Sequence, residues 1–331
     1  MATILNLAMH DEIQRNVPDG IIFEFKDSEG NLIQIITANM PKELAREAFH
    51  NHDSYETGWI EITTEQEIDT NQSLDAFTAK TLDPLIALLD VAELEKHYPI
   101  KIDLYEDGKF ICGHGVGKLL LHDRCKLRPD YLFSDGTLQQ FLLKTYPIYA
   151  SSAIDPEVKR NIPVIKDIFF SSFNSTFEQV HYLIEFSALE CLVETYSEIA
   201  ERKGIIGISS VMGEDKFEEF LKRFDECLPA MIGDGPEKEQ IEKMLKKKIR
   251  EFNRPTFKSK IENMIMHYHL TAPKNLQKMI DLRDLIVHGN YYGKRSKGKP
   301  DPNSLDDIFP LKGELDKLVS LLLVKVVSEP I

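Results

Sequence analysis

Cysteine is scarce. The chain has four, Cys112, Cys125, Cys191 and Cys227, with no CxxC pair and no dense framework, which excludes a disulfide scaffold and points to reduced thiols. Long hydrophobic runs are missing too. The longest, Leu318 to Val327, is too short for a bilayer and carries Lys325, and the first residues lack the basic, apolar, small-residue order of a signal peptide. A cytoplasmic protein with no membrane partner is expected. Low-complexity and proline-rich tracts are absent, so no extended disordered region is expected. Positive charge is in deficit, 40 Lys and Arg against 54 Asp and Glu for a formal net charge of −14. General affinity for polyanions is thereby excluded, and any nucleic-acid contact has to come from local basic patches.

Recognisable cofactor chemistry is also wanting. "GHGVGK" does not match a phosphate-binding GxxxxGK[ST] loop, and no strand–glycine–helix context favours a dinucleotide. Cys112, His114, His122 and Cys125 crowd one segment, but not at the spacings of a zinc module. No metal and no cofactor are expected.

What is present suffices for two domains, since 331 residues can bury real cores without staples. "GIIFEF" and "LIQIITA" flank "KDSEGN" and predict a hairpin from Gly20 to Ala38, "GWIEITT" (Gly58 to Thr64) another strand, and "IKIDLYEDGKFICGHG" a second hairpin turning at Asp107 and Gly108. A helix over Ser73 to Tyr98 interrupts them, with Pro84 restarting or kinking it. Residues 1–155 therefore predict an α+β domain that senses or recruits. Residues 161–331 predict an all-α bundle. Its first helix starts at a capping box, Ser175 with Glu178, and stops at Gly204. Val180, Leu183, Ile184, Ser187, Ala188, Cys191 and Leu192 form one face, and Phe186, Leu189 and Val193 carry apolar cover round the back. Further helices are expected near Lys216 to Leu228, Glu237 to Phe252, Thr256 to His269, Pro273 to His288 and Gly313 to Val327.

"MIDLRDLIVHGN", Met279 to Asn290, stands out. At about 100° per residue, Leu276, Met279, Ile280 and Val287 share one arc with Arg283 in its middle. A guanidinium in a core arc is costly unless paired. Glu190 and Glu194, a turn apart on the capped helix, each offer such a carboxylate. Asp284 and His288 are four apart, close enough for a carboxylate to orient an imidazole, and Gly289 suits the position just past a helix end. An arginine that holds phosphate beside a histidine that moves protons is equipment for acid–base chemistry on a phosphodiester. A buried arginine–carboxylate pair with a helix-capping histidine is the structural alternative.

Arg283, Asp284, three apolar residues, His288 and Gly289 resemble the signature of HEPN domains, and "FSALECL", Phe186 to Leu192, resembles the early helix of the ApeA-like branch. The resemblance covers the helical half only. It implies a bundle that dimerises, placing two copies of the motif across a shared cleft, and a metal-independent endoribonuclease of the toxin or anti-phage defence kind. Arg283 would stabilise the phosphate, His288 would act as general base or acid, and Asp284 would fill the polar position beside the arginine, which is asparagine in many members. Attack by the ribose 2′-hydroxyl would leave a 2′,3′-cyclic phosphate. Arg283 and His288 lie about 140° apart on one helix, so a two-fold partner would bring one copy of each to a single phosphate. Tyr291, Tyr292, Lys294, Arg295, Lys297 and Lys299 follow at once, and rings among cations suit single-stranded RNA. A second basic patch runs from Lys243 to Lys260. Partners on this reading are RNA, a second copy of the chain, and an antitoxin or defence-system protein. The alternative is a non-catalytic HEPN-like dimerisation, nucleotide-binding or adaptor module.

Overall fold

A computed structural model describes residues 2–7, 20–37, 58–68, 70–93, 97–106, 109–115, 135–173, 175–205, 211–232, 238–253, 255–288 and 300–331. By contacts the chain forms two compact units, residues 1–184 with 323–330, and residues 185–322 with 331. The boundary falls inside two long helices, whereas the sequence suggests a break between residues 155 and 161. The expectation of a sheet-bearing first part followed by helices matches the architecture at that coarse level.

The first unit is built on strands β1 (Ala2–Leu7), β2 (Gly20–Lys26), β3 (Leu32–Thr37), β4 (Gly58–Thr63), β5 (His97–Glu106) and β6 (Lys109–Gly115). They pair antiparallel throughout, in the order β2-β3-β4-β1-β5-β6. Strand β1 is an addition to the strands expected from sequence. Alternation works as it should: Phe25 pairs with Ile33, Ile33 with Ile62, and Ile35 with Ile60, and all are buried on one face, as period-2 patterning requires. The β2–β3 turn is closed by Asp27, whose carboxylate accepts from the backbone N–H groups of Glu29 and Asn31 at 2.8 and 2.9 Å. Gly30, at φ 86°, takes the left-handed step that other residues resist. The turn residues Asp107 and Gly108 lie outside the described residues, as do His122 and Cys125.

Helix α1 (Asn71–Glu93) packs on β5 and passes through Pro84 unbroken; His97 and Tyr98, expected at its end, belong to β5. Helices α2 (Asp135–Ala150) and α3 (Pro156–Ser172) both pack against α1. The Tyr146 hydroxyl donates to the Thr81 carbonyl at 2.9 Å. Buried Lys166 on α3 pairs with buried Asp90 on α1, an arrangement whose desolvation cost only a close counter-charge offsets. Asp155 caps α3, accepting from Glu157 N at 3.0 Å, with Pro156 at the first helical position, where a missing N–H costs nothing.

Helix α4 (Glu178–Arg202) crosses the unit boundary. Its N-terminus differs from the expected capping box. The first helical bond runs from His181 N–H to Phe177 O, so Phe177 holds the cap position, while the Ser175 hydroxyl exchanges hydrogen bonds with Phe177 backbone. Its C-terminus is as expected: Gly204 at φ 67° closes a double bond pattern, Ile205 N–H to Ala200 O and Gly204 N–H to Glu201 O, the Schellman arrangement. The second unit continues with α5 (Glu214–Ile232), α6 (Lys238–Phe252), α7 (Phe257–His267), α8 (Leu276–Val287) and α9 (Leu305–Ser328). Helix α9 starts well before Gly313, running through Pro310. The buried residues of this unit include Phe186, Leu189, Leu192, Val193 and Tyr196 of α4, Ile261, Met264 and Tyr268, Met279 and Leu282, and Leu315 and Leu318. Ring contacts Phe186–Phe257 and Tyr196–Tyr268, with centroids 5.8 and 5.3 Å apart, tie α4 to α7. Among the described residues, no helix is long and apolar enough to cross a membrane.

Candidate functional site

The core-facing stripe of α8 is Leu276, Met279, Leu282 and Ile286, which corrects the arc drawn from sequence. Val287 is 50% exposed and Leu282 is fully buried, so the helix is rolled by roughly 60° at about 100° per residue, and Arg283 moves from the centre of the stripe to its flank. The reason lies in Leu282 and Ile286, which bury more apolar surface than an arc centred on a guanidinium could. Arg283 keeps 30% of its side chain in solvent.

The carboxylate that meets it is on α4. That helix presents Ser187, Cys191, Glu194 and Glu198 outward. Ser187, Cys191 and Val180 thus lie on its open side and not within the buried face assigned to them. Glu190, half-buried at the edge of this strip, receives Arg283 Nη2 at 2.7 Å. Glu194, one turn on, is taken by Lys260 of α7, whose Nζ lies 2.8 and 2.7 Å from its two oxygens. Of the two glutamates, Glu190 is therefore the arginine's partner and Glu194 is not. The pairs form a short row of charges along the open edge of α4, between α7 and α8. Cys191 lies in that row, and partial burial together with the Glu190 carboxylate pushes its thiol up, which keeps it protonated and a poor nucleophile.

Asp284 turns outward and accepts from Arg283 Nη1 at 3.0 Å. It serves the guanidinium in place of the His288 imidazole, whose orientation by Asp284 was expected. Among the described residues, carboxylates thus meet the guanidinium at both Nη1 and Nη2. His288 is the C-terminal cap of α8; its backbone N–H donates to Asp284 O and Ile286 O, and its side chain is exposed. At the other end, Glu314 of α9 receives Asn275 N–H at 3.1 Å and the Asn275 side-chain amide at 2.7 Å. A carboxylate there satisfies an orphan donor and complements the helix dipole. Neither Lys260 nor Glu314 was singled out from sequence as part of this neighbourhood. Lys260 closes the basic patch that begins at Lys243, and that run of cations was its one visible signal.

Gly289 and the ring-and-cation segment Tyr291, Tyr292, Lys294, Arg295 and Lys297 lie outside the described residues. In the interior of the same unit, Glu185 of α4 and Asp316 of α9 bring carboxylate oxygens within 4.8 Å of each other. In comparisons with known proteins, no family model, no curated protein and no solved structure matches the chain.

Proposed function

We propose that this protein is an endoribonuclease of HEPN type, cutting RNA by attack of a 2′-hydroxyl, with Arg283 and His288 as its catalytic residues and Asp284 beside them. One observation carries the reading. Arg283 is neither sealed in the core nor left loose: Glu190 anchors it at the flank of α8 with 30% of its side chain in solvent, and the exposed His288 closes the same helix. A cation fixed by a carboxylate on a neighbouring helix is pre-organised to hold a phosphate without first losing its own rotamer freedom. In the reaction, His288 removes the proton from the 2′-hydroxyl. The oxygen attacks the adjacent phosphorus, Arg283 offsets the charge gathering on the non-bridging oxygens, and the 5′-oxygen leaves with a proton from an imidazolium. Products are a 2′,3′-cyclic phosphate and a 5′-hydroxyl. Because Arg283 and His288 project about 140° apart on one helix, the proposal includes a homodimer that pairs the arginine of one copy with the histidine of the other. Tyr291, Tyr292, Lys294, Arg295 and Lys297, which follow the motif in sequence, are assigned to holding the strand, and Glu190 to positioning Arg283. A toxin or anti-phage setting, with an antitoxin or defence-system partner, belongs to the same proposal.

A non-catalytic bundle is the second reading, and it too has an observation in its favour: both terminal nitrogens of Arg283 already meet carboxylates. Incubation with RNA in excess chelator separates the two. The ribonuclease reading expects cleavage by the parent and a loss on the order of 10²-fold or more in Arg283→Ala and in His288→Ala, both still folded by circular dichroism. Absence of parental cleavage with unfolding of Arg283→Ala favours the structural bundle.

A further inference from the structure

Helix α6 carries a cationic excess. Its fifteen residues hold Lys238, Lys243, Lys246, Lys247, Lys248 and Arg250 against Glu239, Glu242 and Glu251, an excess of cations in a chain whose net charge is −14. Its hairpin partner α5 has the opposite balance, with Glu214, Asp215, Glu218, Glu219, Asp225 and Glu226 against Lys216, Lys222 and Arg223. Part of that acidity is answered within α5, where Arg223 pairs with Glu219 at 2.5 Å.

The two helices are in contact, and their open ends are locked. The Asn253 amide, just past α6, accepts from Met212 N–H at 2.8 Å and donates to Met212 O at 3.2 Å, while Val211 N–H donates to Asn253 O at 2.9 Å. A helix pinned this way presents its outer face at a fixed angle. That face includes Lys243 and Lys247, both exposed and one turn apart. Residues so spaced are about 5–6 Å apart, the order of separation of neighbouring phosphates along a strand.

We propose that the Lys243–Lys247 face of α6 is a docking surface for the phosphodiester backbone of single-stranded RNA, separate from the Arg283 and His288 site and serving it by holding substrate. The inference rests on the ribonuclease reading for its choice of polyanion. An anionic lipid surface fits less well. In-plane insertion needs a broad apolar face, whereas Leu245 and Ile249 are half-buried and, among the residues of this helix whose burial is described, Ile241 and Met244 are the exposed apolar side chains, at 36% and 57%. A solvated face that merely balances α5 would be indifferent to RNA.

The test uses full-length protein carrying His288→Ala, so that bound RNA is not consumed. Binding of a fluorescent single-stranded oligoribonucleotide is measured by anisotropy across a salt series, with Lys243→Gln/Lys247→Gln and Lys243→Arg/Lys247→Arg added. Each lost phosphate contact on a single strand lowers the slope of log K against log salt by about 0.7, so the glutamine pair is expected to lower it by about 1.4 and the arginine pair to keep it. An unchanged slope and affinity in the glutamine pair overturns the docking surface. So does a parent that binds no RNA, including one that binds phosphatidylserine vesicles or an acidic peptide instead. Cleavage assayed in parallel with native His288 keeps the two ideas apart. Cutting that ignores the glutamine pair removes the docking surface alone, and α6-dependent binding without any cutting removes the ribonuclease alone.

Discussion

Arg283→Lys separates a guanidinium that holds the fold from one that holds a phosphate. The side chains of Arg283 and Glu190 are 30% and 33% exposed, so their attraction is screened and worth no more than about 1 kcal/mol to stability. Lysine keeps the charge and one hydrogen bond to Glu190, so the expected loss is smaller still. A change of that size shifts Tm by roughly 2–4 °C or less in a domain of 150 to 250 residues. Catalysis is affected far more. An ammonium directed at Glu190 has no planar fork left to present to a phosphate, and removing one such donor set costs on the order of 10²–10³ in rate. Thermal melts by circular dichroism, paired with cleavage of a fluorogenic oligoribonucleotide, read both quantities from one preparation. A fall in Tm of about 10 °C or more, or a lysine variant that cuts at the parental rate, would refute the reasoning.

Three further substitutions test the fold that carries the site. Lys166→Met removes the buried cation facing Asp90 and is expected to cost about 3–5 kcal/mol in urea unfolding, most of it regained in Asp90→Leu/Lys166→Met; equal stability of the single variant would contradict a buried pair. Gly113 on β6 has no room for a side chain, since an added Cβ would overlap the Asp103 carboxylate and lie 2.7 Å from the Ile102 carbonyl oxygen. Gly113→Ala should therefore lower stability by about 1–3 kcal/mol, and a neutral effect on the denaturation midpoint would show that β6 can shift. His269, exposed at φ 53°, occupies the left-handed position of the α7 terminus, with Leu270 N–H bonded to Ile265 O. His269→Gly is expected to stabilise by about 1 kcal/mol, and a lower Tm would mean the imidazole makes a compensating contact.

How much of this could be read from residues alone depended on whether the signal was local. The β2–β3 hairpin was legible because its alternation and its Gly30 turn lie within eighteen contiguous residues, and Gly204 announced the end of α4 for the same reason. His269 ends α7 by an equivalent bond pattern, yet no glycine marks it. Strand β1 was missed because it is an isolated segment whose partners, β4 and β5, lie far along the chain. Helix α3 carries a readable start in Asp155–Pro156, a capping carboxylate followed by proline at the first helical position. At the candidate site, the motif residues stand out by spacing, but the roll of α8 does not: it is set by how Leu282 and Ile286 pack, and no projection of one helix contains its neighbours. The choice between Glu190 and Glu194 was equally non-local, decided by Lys260 arriving from α7.

The most direct test of the ribonuclease is the chemistry of its product. A short RNA is incubated with the protein in excess EDTA, next to the same oligomer carrying one 2′-deoxy sugar at the cleaved step, and the fragments are weighed by mass spectrometry. Attack by the neighbouring hydroxyl requires a 2′,3′-cyclic phosphate on the upstream fragment, no cut at the deoxy step, and neither product in His288→Ala. A 3′-hydroxyl terminus, cutting that persists at the deoxy sugar, or no cutting of any RNA by a folded parent would contradict it.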